Sequence, residues 1–345
     1  MAATIPDSIW LNILAYCTPQ ELSKLGGVCR RWYHMTRDRT LWYRMDISKS
    51  RVSVQKLSML IRRPMAAHMV SLRLEGDLKT GGKKSAGKSH QPATATPALL
   101  AEELHLTHAN VEKLELQHFP TQLRYLSLYG SLISFHFLEG LRDPQLLPNL
   151  TGLDLSYCHN LSSYSRSVAG LLTKAGLTDL RLRHCFKIFE KDLCEIPSSM
   201  RHLTHLDLSD LQAVTDNLLV HVAQFSHQLN TLNLSFCRNL TDKAMMPLAE
   251  AAKDMRKLET LLLMECTQLT DGIFYYLKEL PVLKTLNVVK TKCTLDGAKR
   301  FEMEKKNAIC KVQLQLSEEA LQLSEGLWFV PLRENENQTV EHMET

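Results

Sequence analysis

The chain has little of what a membrane protein or an enzyme needs. No apolar run approaches the roughly 20 residues required to span a bilayer. The N-terminus has no basic region, and Asp7 interrupts its apolar stretch, so a secretory leader is not expected. Charge of one sign is scarce: 41 Lys and Arg against 37 Asp and Glu leave a net charge of +4 over 345 residues. That balance calls for neither nucleic acid nor an anionic membrane. Paired cysteines are missing as well. The nine cysteines are odd in number, scattered and without a C-x-x-C pair, which fits reduced thiols in the cytosol or nucleus better than a disulfide framework. No G-x-S-x-G elbow and no H-E-x-x-H stands in the sequence. His105 and His108, like His202 and His205, are three apart, a spacing that suits neither two ligands on one strand face nor a closed metal set. No catalytic group, metal or other cofactor is expected.

What is present is a repeat. The motif L-x-x-L-x-L appears at Leu123-Leu126-Leu128, Leu150-Leu153-Leu155, Leu177-Leu180-Leu182 and Leu203-Leu206-Leu208. It returns at Leu229-Leu232-Leu234, Leu258-Leu261-Leu263, Leu283-Leu286-Val288 and, more loosely, Ile309-Val312-Leu314. Four units continue to a cysteine three residues on: Cys158, Cys185, Cys237 and Cys266. Two then read Asn239–Asp242 (N-L-T-D) and Gln268–Asp271 (Q-L-T-D) before a helical stretch. This is the period and signature of leucine-rich repeats. Each L-x-L is a short strand with leucines inward and the intervening residues outward. One repeat cannot bury its own apolar face, so stacking makes a continuous core, each buried leucine contributing roughly 1.5–3 kcal/mol. The recurring cysteine acts as a small buried hydrophobe.

The early repeats are irregular. Met69-Leu72-Leu74 and Val111-Leu114-Leu116 also fit the motif, yet Val111 precedes Leu123 by only 12 residues. Between them, Lys79–Pro97 is rich in Gly, Lys, Ser, Thr, Ala and Pro and is expected to be a mobile basic loop. It contains Gly82–Ser89, a match to the phosphate-binding G-x-x-x-x-G-K-S. The flanks, Gly76–Lys79 before and Pro92 and Pro97 after, offer no buried strand and no helix, so a low-complexity basic loop is the favoured reading.

Ahead of the repeats, the run from Ile5 to Trp42 reads as three short helices. Ile9 and Ile13 lie four apart, with Ile5 and Leu14 nearby, as an apolar stripe. Pro6 suits the first helical turn. Thr18-Pro19-Gln20-Glu21 is a capping-box pattern opening a second helix that buries Leu22 and Leu25. Gly26-Gly27 predicts a break or a close helix contact, since glycine costs roughly 1 kcal/mol in a helix interior. A third helix carries Val28, Cys29 and Trp32.

This stretch resembles an F-box. Ile5-Pro6, Ile9, Ile13-Leu14, Pro19, Leu22, Val28-Cys29-Arg30-Arg31-Trp32 and Leu41-Trp42 match that family's pattern in order and spacing. Ser8 and Cys17 depart from it, where an acidic residue and a leucine are common. The order of the modules and the linker from Met45-Asp46-Ile47 through Ile61-Arg62-Arg63 resemble one F-box/leucine-rich-repeat family member more than others.

The resemblance implies an α/β fold: a three-helix F-box over 1–46, a helical linker over 47–68 and a leucine-rich-repeat horseshoe over 69–324. Residues 318–323 complete the last helix, and Trp328, Phe329, Val330 and Leu332 within 325–345 cap the final repeat. It also implies a non-catalytic substrate receptor of a cullin-RING ubiquitin ligase. Ile5, Pro6, Ile9, Ile13, Leu14, Pro19, Leu22, Val28 and Trp32 would bind a Skp-type adaptor, and through it a cullin. The horseshoe would bind a protein to be ubiquitinated. Strand alternation puts Tyr125, Tyr129, Asp154, Arg181, Arg183, Asp207, Leu262 and Met264 on the concave face, with Val289 and the serines and asparagines between them. The arginine pair beside aspartates suits a bidentate contact, and the outward apolar residues suit a partner. Two other classes are an interaction scaffold without ligase assembly and a nucleotide-binding protein using Gly82–Ser89.

Overall fold

The computed structural model describes residues 5–52, 70–76, 101–112, 116, 119–141, 143–161, 176–199, 201–305 and 310–314. The basic loop with Gly82–Ser89, the C-terminal helix and the C-terminal cap lie outside these residues.

The chain opens with α1 (Asp7–Leu14), α2 (Pro19–Leu25) and α3 (Arg30–Met35), then a 3-10 turn at Arg39–Trp42. The capping box forms: the Thr18 hydroxyl accepts the Glu21 N–H, and the Glu21 carboxylate accepts the Thr18 N–H at 2.7 Å. α2 stops at Gly26, where a Cβ would lie 2.8 Å from the Thr36 hydroxyl, so the pair of glycines marks both a break and a close contact. Val28 and Cys29 fall outside the third helix: Cys29 is its N-cap, and Val28 is exposed in the connection.

Eleven parallel strands follow in simple sequence order among the described residues. They are β1 (Arg44–Val52), β2 (Ser71–Gly76), β3 (Glu103–Thr107), β4 (Tyr125–Ser127), β5 (Gly152–Asp154) and β6 (Asp179–Arg181). The series continues with β7 (His205–Asp207), β8 (Thr231–Asn233), β9 (Thr260–Leu262), β10 (Thr285–Asn287) and β11 (Lys311–Gln313). Between them run α4 (Phe135–Gly140), α5 (Glu190–Ser199), α6 (Asp216–Phe225), α7 (Met246–Glu250), α8 (Gly272–Leu277) and α9 (Leu295–Glu304). Parallel strands need such crossovers, and the helices cover one side of the sheet. Leu126, Leu153, Leu180, Leu206, Leu232, Leu261 and Leu286 sit in register across the ladder, and all are buried in one core with the apolar sides of the helices. This is a leucine-rich-repeat solenoid. No described helix is long and apolar enough to cross a membrane.

Two expectations change. The start of the linker expected to be helical is strand: Arg44–Val52 pairs with β2 and is the first strand of the sheet, with a register shift between Ile47 and Arg51. The irregular repeat is not at Val111 either. Its strand is β3, whose Leu104 and Leu106 are the inward pair, with buried Ala101 at the position leucine holds elsewhere. Ala101 precedes Leu123 by 22 residues, which removes the impossible 12-residue repeat. Val111 and Leu116 are buried in the connection that follows.

Two ladders tie the coils together. The thiols of Cys158, Cys185, Cys237 and Cys266 donate to the carbonyls of Leu128, Leu155, Leu208 and Leu234 on the preceding coil, at 3.1–3.3 Å. The recurring cysteine is therefore a buried hydrogen-bond donor as well as a hydrophobe, and burial pushes each thiol pKa up, to about 12 for Cys266. On the helix side, Asp216, Asp242 and Asp271 each accept the backbone N–H of Thr241, Thr270 and Thr294 on the next coil, at 2.7–2.8 Å. This explains the T-D in the repeats by coil-to-coil bonding.

Candidate interaction surfaces

The N-terminal helices divide their apolar residues between a small core and the surface. Leu14, Leu22 and Met35 form the core, with Trp10, Leu11, Cys17, Leu25, Trp32 and Trp42 packed around it. Trp10 and Trp32 lie 5.2 Å apart between ring centres. Arg31 ties the N-terminal end of α1 to α3, donating to Asp7 at 2.8 Å and to the Ile5 carbonyl at 2.9 Å. The stripe on α1 splits: Ile9 and Ile13 are 49% and 48% exposed while Leu14 is 1% exposed. Exposed Ile5, Pro6, Tyr16 and Val28 join Ile9 and Ile13 on the surface. Of the residues expected to touch a partner, Leu14 and Leu22 are therefore corrected to core positions, because a fully buried side chain has no area left to offer. Trp32 is half-buried against Trp10, and Pro19 opens α2. Tyr16, which the sequence reading left out, is the most exposed apolar residue of this group.

On the sheet, the outward side chains form rows across the repeats. One row runs Ser127, Asp154, Arg181, Asp207, Asn233, Leu262, Asn287 and Gln313. Ser127 donates to Asp154 at 2.9 Å. The Asp154, Asp207, Asn233 and Asn287 side-chain oxygens each accept the backbone N–H two residues on, at 2.8–3.1 Å. Arg181 is not free for a bidentate partner, because it already makes a fork with Asp179 at 3.0 and 2.7 Å and lies over the Tyr125 ring. Beside it, Arg183 keeps a shielded Nε with no hydrogen-bond partner. Burial pushes the Asp207 carboxyl up to about 6. His105, 5.3 Å from Tyr125, is pushed down to about 4 by burial and by Arg73 and Arg181. Tyr125, Tyr129 and Arg183 are half-buried. Asp154, Arg181, Asp207, Leu262 and Met264 point outward as expected but are buried, so they do not form an open binding face.

An exposed site lies one step further along. Immediately after the outward rows, each coil turns through a left-handed residue: His108, Gly130, Tyr157, His184, Asp210, Phe236, Glu265 and Lys290 all have positive φ. The turn throws these side chains to one edge of the sheet. There Tyr129 and Tyr157 lie 4.9 Å apart, Tyr157 stacks on His184 at 4.7 Å, and His159 meets Phe186 at 5.1 Å. His184 Nδ1 is 2.5 Å from Asp210 on the next coil. Phe186 and Phe189 are exposed. The sequence reading found Tyr129 and missed the rest. The available signal was Tyr157-Cys158-His159 against His184-Cys185-Phe186, ring residues at matching positions of successive repeats.

Residues 2–48 match the family model for an F-box-like domain. The chain thus joins an F-box-like domain to a leucine-rich-repeat solenoid. Human F-box/LRR-repeat protein 12 is 25% identical over 67% of this chain and 71% of its own length, and the bovine protein of that name is 25% identical over 68% and 71%. Lysine-specific demethylase 2A of Xenopus tropicalis is also 25% identical, over 70% of this chain but 21% of that protein. A solved structure of the Rad7 and Elc1 complex in yeast matches 92% of this chain and 84% of its own, at 14% identity and a TM-score of 0.36.

Proposed function

We propose that this protein is the target-binding receptor subunit of a Skp–cullin–F-box ubiquitin ligase. The observation that carries the reading is the pairing of an F-box-like domain, whose Ile5, Ile9, Ile13 and Val28 are exposed, with a repeat solenoid. Exposed branched aliphatics on one small helical module suit an apolar partner groove. In this reading the Skp-type adaptor covers them and links the chain to a cullin in the cytosol or nucleus. A protein target docks on the solenoid, with the ring-lined edge from Tyr129 to Phe186 as the exposed anchor, since aromatic side chains dominate such contacts. The chain supplies no reacting group. It raises the rate of ubiquitin transfer by holding the target near the charged enzyme, which raises effective concentration.

The test is co-purification of the full chain with a Skp-type adaptor and cullin. Wild type is expected to retain both, and Ile9→Asp with Ile13→Asp is expected to lose both while melting as wild type does. Failure of wild type to hold the adaptor would remove the ligase reading and leave a repeat scaffold.

A further inference from the structure

Arg183 stands where the outward face meets the ring-lined edge. It is half-buried, its guanidinium carbon lies 5.7 Å from the centre of the Tyr157 ring, and its Nε is shielded. Among the described residues it forms no ion pair and no side-chain hydrogen bond. Its row does not hold it either. Ser209 and Ser235, the same positions on the next two coils, are 1% and 3% exposed, and both hydroxyls lack a partner. The carboxylates around it are engaged elsewhere. Asp179 forks with Arg181, Asp210 meets His184 Nδ1, and one Asp207 oxygen accepts the Ser209 N–H. The other Asp207 oxygen is shielded and unbonded, yet it does not reach Arg183. A guanidinium partly withdrawn from water with no anion beside it is unfavourable in the free protein, and an incoming anion relieves it.

We propose that Arg183 reads a single carboxylate, from a Glu or Asp side chain of the protein target, while an adjacent apolar side chain of that target packs on the Tyr157–His184–Phe186 rings. Arginine grips a carboxylate through two parallel N–H bonds. With Nε shielded, the fork that remains is the end-on one, through the two terminal nitrogens. The rings supply an apolar wall at one side: Tyr157 stacks on His184 at 4.7 Å, and Phe186, 5.6 Å from His184, is 50% exposed. Charge selects the kind of anion. One uncommitted cation balances one negative charge, whereas a phosphoryl group brings about −1.5 to −2 and would meet Asp207 and Asp210 on the adjacent coil. Arg181, two residues back on the same coil, cannot take the role, since its guanidinium is already forked to Asp179. The inference deepens the proposed receptor function and rests on it for the origin of the carboxylate; the anion site itself stands on the geometry of Arg183.

The test uses immobilised full-length protein and short peptides with amidated C-termini and flanks randomised over uncharged residues. The central residue is Glu in one set, Gln in a second and phosphoserine in a third, and mass spectrometry quantifies the peptides retained. Wild type is expected to retain the Glu set over the Gln set by about tenfold or more, as a charge-assisted hydrogen bond predicts. Aromatic or large aliphatic residues are expected to be enriched in its flanks. Arg183→Gln is expected to abolish the Glu preference, and Arg256→Gln, at an exposed arginine between α7 and β9, to keep it. Equal retention of the Glu and Gln sets, retention of neither, a preference for phosphoserine over Glu, or a Glu preference that survives Arg183→Gln would overturn the proposal. Should Arg183→Gln melt well below wild type, Arg183→Lys gives the reading instead. It keeps the charge, loses the fork and is expected to cut the Glu preference several-fold; an undiminished preference counts against the site. Adaptor capture is scored separately on the same samples. A chain that holds the adaptor without a Glu preference loses the carboxylate site alone, and one with the preference but no adaptor loses only the ligase reading.

Discussion

Asp242 on one coil accepts the backbone N–H of Thr270 on the next at 2.7 Å and also accepts its hydroxyl. A Cβ on Gly272 would lie 2.6 Å from that same carboxylate. The two positions are therefore coupled. Asp242→Ala is expected to destabilise by about 1–2 kcal/mol, below the fully buried charged case because the pair is partly exposed. Gly272→Ala is expected to destabilise when Asp242 is present and to add little when it is already Ala. Denaturant unfolding of the two single variants and the double variant measures this; simple additivity would refute it.

The pH dependence of stability carries the mark of Asp207. Its carboxyl is pushed up to about 6 from an ordinary value near 4, so between those values the folded chain holds a proton that the unfolded chain has lost. The folded state therefore gains on acidification through this window, and above pH 6 it bears a penalty of order 2–3 kcal/mol. Asp207→Asn keeps the side-chain oxygen that accepts the Ser209 N–H, as Asn233 does for Ser235 at 3.0 Å. The variant is expected to melt higher than wild type at pH 8 and alike near pH 4. His105, pushed down to about 4, acts in the opposite sense by losing stability as pH falls below 6.5, so the comparison is wild type minus variant at each pH.

Thiol labelling separates the cysteines by environment. Cys29 is exposed, whereas Cys158, Cys185, Cys237 and Cys266 are buried with raised thiol pKa values. Iodoacetamide at pH 8 is expected to modify Cys29 first and these four only after unfolding, because the thiolate is the reacting form. Mass spectrometry of the native and denatured protein reads the order.

Neighbouring positions on α1 are expected to fail in different ways. Leu14→Ala removes a buried side chain and is expected to cost about 2–5 kcal/mol in the N-terminal module. Ile13→Ala, at a half-exposed site, is expected to change the melting temperature little and to weaken adaptor capture. Calorimetry and co-purification on the same samples distinguish the two effects.

The repeat was legible because leucine recurs where only a large buried aliphatic fits, and the cysteine marked the turn after each strand. The unit at Ala101 was hidden because a small residue occupies the leucine position, and Val111-Leu114-Leu116 offered a false register nearby. β1 was missed because Arg44–Val52 has no leucine pair to mark it. Strand alternation correctly pointed Asp154, Arg181, Asp207, Leu262 and Met264 outward, but alternation says which way a side chain points and not what covers it. For the same reason it could not divide Ile13 from Leu14. The ring-lined edge escaped because alternation ends where the left-handed residue begins, and Tyr157 and His184 occupy a conformation usually associated with glycine.

Trp42 packs both on the F-box core and on the core of the repeats, and its indole N–H donates to the Thr36 carbonyl at 2.8 Å. The two modules therefore meet without a loose joint. The solenoid is then a ruler: each coil sets the next outward position about 4.8 Å further from the N-terminal module. Under the proposed receptor function, adding or removing one coil between β1 and the ring-lined edge is expected to leave both surfaces intact and to move a bound target by one graduation, changing which of its lysines comes within reach.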